Sequence, residues 1–144
     1  MVREIGANEL EGLLALYTQL HNNPVPEDTA ELRNLWQRIV EDPDHHIIVA
    51  VEEGRIVSSC VCVIIPNLTH GQRPYAFVEN VITDEAYRGR GLAHACLDYA
   101  RSLAEAAGCY KMMLLTGSKE ESTHRFYRRA GYNANDKTAY IQWL

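Results

Sequence analysis

Apolar residues recur along this chain at two spacings, and the points where one spacing gives way to the other mark the elements. Val2–Ile5 reads as a short first strand. Leu10, Leu13, Leu14 and Tyr17 then fall three and four residues apart, the spacing of one helix face. Asn8, with Glu11 three residues on, has the form of a capping box at that helix's start. The run from His21 to Pro26 ends it, because Pro24 and Pro26 lack an amide hydrogen and push the residues before them out of helical conformation. Asp28 and Glu31 open a second helix, with Leu32, Leu35, Trp36, Ile39 and Val40 along one face and Pro43 as its stop.

Beyond Pro43 the period shortens. His46–Val51 and Ile56–Ile65 are β-rich runs separated by Glu52-Glu53-Gly54-Arg55, a hairpin signal. A polar stretch, Asn67–Pro74, leads into a third run, Tyr75–Thr83. Leu92, Ala95, Cys96, Tyr99, Leu103 and Ala106 then form the clearest helical stripe in the chain, with Gly108 where a C-cap glycine belongs. Lys111–Leu115 reads as a short strand and Glu120–Ala130 as a helix. Tyr132 and Thr138–Trp143 read as the final strands. The pattern predicts one α/β domain over residues 1–144 with a mixed sheet.

Composition narrows the function classes. The 144 residues carry 14 Lys and Arg against 19 Asp and Glu, a formal charge of −5. A modestly acidic domain is a poor binder of nucleic acid or anionic membranes. No apolar run approaches the roughly 18 residues needed to cross a bilayer, and Met-Val-Arg-Glu-Ile-Gly holds no signal-peptide core, so a cytoplasmic location is expected. Cys60, Cys62, Cys96 and Cys109 show no CxxC spacing. The Cys60/Cys62 pair faces one side of a strand, but free thiols packed as small apolar residues explain it better than a zinc or redox pair. The six histidines show no HxH or HxxxH spacing: His45 and His46 point to opposite sides of a strand, and no metal is expected.

The informative feature is the segment joining the third β run to the long helix, Arg88-Gly89-Arg90-Gly91-Leu92-Ala93. Glycines let a ligand approach the backbone closely, the first-turn amides of a helix have no intrahelical acceptor, and the helix dipole favours an anion there. Arg88 and Arg90 add positive charge. The dinucleotide fingerprint fails for want of a third glycine, and no Gly-Lys-Ser/Thr follows to make a Walker turn.

This segment resembles the Q/R-x-x-G-x-G/A signature of the GNAT superfamily of acyl-CoA-dependent N-acyltransferases. Val81-Ile82-Thr83-Asp84-Glu85-Ala86-Tyr87 matches the approach to that signature, and His124-Arg125-Phe126-Tyr127-Arg128-Arg129-Ala130-Gly131-Tyr132 resembles the later F-Y-x-x-x-G-F/Y motif. The resemblance is good from about Tyr75 onward and holds only in outline before it. It implies a single-domain α/β fold with a mixed, largely antiparallel sheet of about six or seven strands, splayed at its centre and flanked by about four helices. It also implies acetyl-CoA as cosubstrate. Backbone amides of Arg88, Gly89, Arg90, Gly91, Leu92 and Ala93 would hold the pyrophosphate, and backbone groups of Val81, Ile82 and Thr83 the pantetheine arm, as if it were an added strand.

Two side chains are expected to carry the chemistry. Tyr127 occupies the position of the tyrosine that in many relatives donates to the coenzyme sulfur, a role suited to a weak acid facing a leaving thiolate. Glu79 lies nine residues before Arg88, the spacing at which glucosamine-6-phosphate N-acetyltransferases carry a glutamate. It would either accept the amine proton or hold the substrate ammonium, and the sequence leaves the choice open. Asn80 departs from the acidic residue often found next in those enzymes. Thr123–Tyr127 also resembles aminoalkylphosphonate acetyltransferases, so a small primary amine bearing an anion is the expected acceptor, with Arg73, Arg33 and Arg38 as candidates to bind the anion. A protein N-terminal or lysine acetyltransferase and a non-catalytic acyl-CoA-binding regulator are the competing readings. No acidic run suits the former, and retention of Tyr127 and Glu79 argues against the latter. Relatives are often dimers; whether this chain is a homodimer is not decided by its sequence.

Overall fold

A computed structural model describes residues 1–144. Its centre is a five-stranded sheet in the order β1–β2–β3–β4–β5, built from Val2–Glu4, His45–Glu52, Arg55–Ile65, Tyr75–Thr83 and Met112–Leu114. The first four strands pair antiparallel, while β4 and β5 run parallel. The helices are α1 (Leu10–Tyr17), α2 (Ala30–Glu41), the single turn α3 (Thr69–Gln72), α4 (Leu92–Ala106) and α5 (Glu121–Arg129). A 3-10 turn, Glu85–Tyr87, links β4 to the glycine segment.

Strand alternation sorts the core into two layers. Ile48, Ala50, Cys60, Cys62, Ala76 and Val78 face α4 and pack on its Cys96, Leu97, Ala100 and Ala104. Ile47, Val49 and Val61 face the other way, onto Leu10 and Leu13 of α1 and Trp36 of α2. Trp36 is buried and its indole donates to the Ala7 carbonyl at 2.7 Å, so its one polar group is satisfied. Ser58 and Ser59 are also fully buried. Their hydroxyls bond the Ile82 and Ile48 carbonyls at 3.0 and 2.8 Å, so neither costs an unmet donor. Cys60, Cys62 and Cys96 are free and wholly buried, and burial pushes each thiol up, Cys62 and Cys96 to about 11.

Several elements differ in detail from the pattern reading. Asn8 does not cap α1; the N-cap is Glu9, and its carboxylate turns back to Arg3, accepting from Nη1 and Nη2 at 2.7 Å each, and from the Gly6 amide at 2.6 Å. A bidentate guanidinium is a better partner for that carboxylate than a helix amide. In α2 it is Thr29 that caps, accepting from the Leu32 amide at 3.1 Å. The β2–β3 hairpin closes through Glu53 and Gly54, both at positive φ, which matches the twist of the two strands. Tyr132 and Thr138–Trp143 form no strand, so the sheet has five strands rather than six or seven. Beyond Tyr132 the chain contributes no partner strand of its own to β5, and β propensity alone does not make a strand.

The Arg3 hydrogen bonds, reinforced by the Gly6 amide, lower the Glu9 carboxyl to about 2. A depressed carboxyl stabilises the fold above its unfolded value and loses that contribution as pH falls through the folded one. Glu9→Gln is therefore expected to destabilise the protein at pH 7 by about 1 kcal/mol, the low end for charge-assisted bonds because the pair is partly exposed. Denaturant melts at a series of pH values should show the gap to wild type closing from about pH 4.5 down towards pH 2.

Candidate active site

The site is built where β4 parts from β5. The two strands pair only at Ala76–Met112, Phe77–Met113 and Val78–Leu114. On its other edge β4 continues along β3, but with an irregularity: Val61 stands opposite Glu79 and Ser59 opposite Ile82, so Asn80 and Val81 together face Cys60. This is a β-bulge, and Asn80 sits in it at φ +52, a left-handed conformation that asparagine tolerates better than most residues. Bulges bend the strand that carries them. Here the bend begins two residues past the last β4–β5 pair, and Glu79–Thr83 are left with one edge unpaired.

The bulge also sets which side chains meet. Tyr75, Phe77 and Glu79 stand opposite Ile65, Val63 and Val61, and so lie on the α1–α2 face of the sheet. Glu79 is exposed on it, while Val78 and Val81 pack on the α4 side. Tyr17, at the end of α1, is half-buried with its hydroxyl turned to Asn80 and Ser59; burial pushes its phenol up to about 12 against the pull of those two partners. The sequence pattern counts Tyr17 only as an apolar helix position. Nothing in the pattern marks the bulge it rests on.

Tyr127 reaches the same region from α5. Its ring meets Phe126 edge-on at 5.0 Å and Tyr132 at 6.2 Å, and it packs on the α4-side core. Burial, then the nearby Cys60 and Glu79 groups, raises its phenol, so the proton stays on oxygen across the neutral range. Burial likewise pushes Tyr132 up, and its hydroxyl is buried without a hydrogen-bond partner. Its ring packs on the α4-side core, so this donor is left unmet within the protein.

The glycine segment lies at the other end of the free β4 edge. Gly91 is the N-cap of α4 at φ +77, with no side chain capping the helix. The first intrahelical bond there runs from Ala95 N–H to the Gly91 carbonyl at 3.0 Å, which leaves the Leu92, Ala93 and His94 amides without an acceptor inside the helix. A Cβ placed on Gly89 or Gly91 would meet nothing within 4 Å, so open space fronts these amides. The two arginines of the segment differ. Arg90 lies 3.3 Å from Glu52 and 4.8 Å from the Tyr87 ring centroid, while Arg88 makes only a long bond, 3.4 Å, to the Thr83 carbonyl. Amides open to solvent, a helix N-terminus and an uncommitted guanidinium fit a pyrophosphate.

Two other sequence candidates are committed elsewhere. Arg73 donates to the Gly108 and Cys109 carbonyls at 3.0 and 2.9 Å, pinning the end of α4 to the start of β4. Arg33 pairs with Asp28 and Glu11, each at 2.7 Å. His94 pairs with Asp98 at 3.3 Å, one turn along α4. No group of three or more His, Cys, Asp or Glu is placed to hold a metal ion, and no helix is long and apolar enough to cross a membrane.

A strand that leaves its parallel neighbour half-way, followed by a helix whose head offers free amides, defines the acetyltransferase (GNAT) family, and the chain belongs to it: the family's sequence profile matches residues 10–132. Among individual proteins it is similar to glucosamine 6-phosphate N-acetyltransferase of Trypanosoma brucei brucei, with 34% identity over 84 residues. That match covers 58% of this chain and spans little more than half, 55%, of the relative. It is also similar to glucosamine 6-phosphate N-acetyltransferase 1 of Oryza sativa subsp. japonica, 27% identical over 84% of this chain and 73% of that protein. A solved structure from Agrobacterium tumefaciens str. C58, with a provisional acetyltransferase designation, superposes with a TM-score of 0.90 at 38% identity, covering 99% of both chains.

Because Gly91 presents open space and positive φ, an aspartate there puts a strained backbone and a negative charge where an anion would sit. Acetyl-CoA should raise the melting temperature of the wild type, by about 2.7 kcal/mol of stabilisation at one hundred times Kd. Gly91→Asp should melt cooperatively and show no such rise. Equal protection of the two proteins would remove the turn from the binding site.

Proposed function

We propose that the protein is an acetyl-CoA-dependent N-acetyltransferase that acts on the primary amine of a small molecule, by direct attack of the amine within a ternary complex. The observation that carries this reading is the stretch of β4 that β5 leaves unpaired, with Glu79 exposed at its start and Tyr127, packed on the α4 side, close enough to feel the Glu79 charge. In this reading the α4 head amides and Arg88 bind the pyrophosphate, and the Val81–Thr83 backbone takes the pantetheine arm along the free edge as an added strand would. Acetyl-CoA brings the activated acyl group, and the protein's part is alignment and proton handling. Glu79 draws the proton from the substrate ammonium so that a neutral amine attacks. Tyr127, held protonated, donates a hydrogen bond to the sulfur as thiolate charge grows.

The acceptor we favour carries an anion at a distance from its amine. Phe77 pairs with Met113, so Lys111, two residues before Met113, falls on the same face as Glu79, at the far end of a floor made by Tyr75 and Phe77. The Lys111 ammonium lies 5.3 Å from the ring centroids of both Tyr75 and Tyr110, held by aromatic faces rather than by a carboxylate. One cation and one anion on an open sheet face suit an amino-sugar phosphate, and this agrees with the activity for which the Trypanosoma and Oryza relatives are named.

Free-thiol release from acetyl-CoA across a panel of primary amines tests the reading. Glucosamine 6-phosphate should turn over with a lower KM than unphosphorylated glucosamine, and no release with any amine would overturn the enzymatic assignment. Glu79→Gln should lower kcat/KM by roughly 100-fold, most at low pH where the amine is ammonium. A raised KM at unchanged kcat would make Glu79 a binding group only. Tyr127→Phe keeps the ring, so coenzyme affinity should survive while kcat falls by roughly 10- to 1,000-fold. A full single-turnover rate in that variant would leave Tyr127 a packing residue.

A further inference from the structure

The segment between β4 and the glycine turn accounts for every one of its amides. Asp84 donates to the Val57 carbonyl of β3 at 2.8 Å, and Ala86 to the Asp84 carboxylate at 2.9 Å. Tyr87 donates to the Asp84 carbonyl at 2.8 Å, and Arg88 to the Glu85 carbonyl at 3.5 Å. The remaining amide, that of Glu85, donates at 2.9 Å to Oε1 of Gln19, a side chain 66 residues earlier in the chain. Two of these acceptors lie outside the segment. Val57 belongs to the sheet, and Gln19 belongs to the end of α1.

Gln19 is well placed to hold a position. It follows α1 in a tight turn, its own amide bonding the Leu16 carbonyl at 3.1 Å and the Leu20 amide the Tyr17 carbonyl at 2.9 Å. Leu10, Leu13 and Leu16 are buried, which fixes the helix that carries it. Two residues before it, Tyr17 turns its hydroxyl to Asn80 in the bulge. One helix end thus meets both limits of the free β4 edge, Tyr17 where that edge begins and Gln19 where it passes into the turn. Between α1 and the turn lies an open cleft of about 330 Å³, lined in part by Leu16, Gln19, Arg55, Ile56 and Asp84. The Gln19–Glu85 bond bridges a space that packing leaves unfilled. Both residues are exposed, so water can take the Glu85 amide at little cost to the fold. Water cannot hold the turn at a set distance from α1.

We propose that Gln19 is a positioning residue for the coenzyme, its side-chain oxygen fixing the distance between the free β4 edge and the pyrophosphate turn so that one acetyl-CoA molecule fills both. The inference rests on the coenzyme reading above. Acetyl-CoA is an arm and a nucleotide joined by a short link, and a linked ligand gains from its second half only when the two half-sites are correctly spaced.

Gln19→Met removes the acceptor at a similar side-chain length, on an exposed position where the melting temperature of the free protein should not move. Hydrogen exchange should show the Glu85 amide faster in the variant and the Asp84 amide unchanged. Calorimetry should show Kd for acetyl-CoA raised roughly 3- to 10-fold, the range for one net hydrogen bond. The nucleotide half alone, phosphoadenosine diphosphate, needs only the turn and should bind both proteins equally. A wild type that does not bind acetyl-CoA would overturn the coenzyme reading and this inference with it. A wild type that binds, with a variant that binds equally well, would overturn this inference alone. So would an unchanged Glu85 exchange rate, or a loss of nucleotide affinity as large as the loss for acetyl-CoA, since Gln19 would then shape the turn rather than space it.

Discussion

One kink in one strand governs this molecule. Asn80, held in a left-handed conformation between Glu79 and Val81, gives β4 one residue more than β3 can match. The strand bends, and its pairing with β5 stops at Val78. Beyond that point β5 also ends, at Leu114, and the sheet is left with a gap and a row of free backbone groups along Glu79–Thr83. The bulge also keeps Glu79 and Ile82 on one face although they are three residues apart, so the carboxylate stays on the open side while Val81 is returned to the core.

Opening a sheet is costly unless its neighbourhood is rigid, and here the support comes from both faces. On one side α4 packs its small residues, Cys96, Ala100 and Ala104, against β3 and β4, allowing the helix to sit close to the sheet. On the other, Tyr17 rests on the bulge itself. The buried serines next to it complete the fit: Ser58 bonds the Ile82 carbonyl and meets the Thr83 hydroxyl at 2.8 Å, fixing the strand just beyond the bend. The gap is thus held by interactions of the strands that stay together, and a ligand entering it need not force them apart.

Much of this was legible in the residues. Helices α1, α2, α4 and α5 and strands β2 to β4 follow from periodicity, because each buries one face or one stripe and the pattern records that burial. The Arg88–Ala93 turn was legible because its chemistry is local: two glycines and a helix start form one continuous segment. The bulge was not, since an extra residue in a strand shows only against its partner, 20 residues away in sequence. Nor was Tyr17, whose contact to Asn80 spans α1, α2 and the hairpin. Asn8 and Glu11 had the right spacing for a capping box, but Arg3 supplied a stronger partner to the residue between them, Glu9. Thr138–Trp143 has the composition of a strand, yet it pairs with none, because apolar and β-branched content does not by itself supply a ladder.

The placing of the cysteines bears on how this protein is best handled at the bench. Three of its four sulfurs are sealed in the α4-side core, where burial keeps them as unreactive thiols, and only Cys109, at the foot of β5, is partly reachable. A chromogenic disulfide that reports free coenzyme thiol would therefore react at most slowly with the native protein, and a background signal that climbs with time would report core opening rather than turnover. The same reagent, without any substrate, becomes a gauge of how often the sheet and α4 come apart.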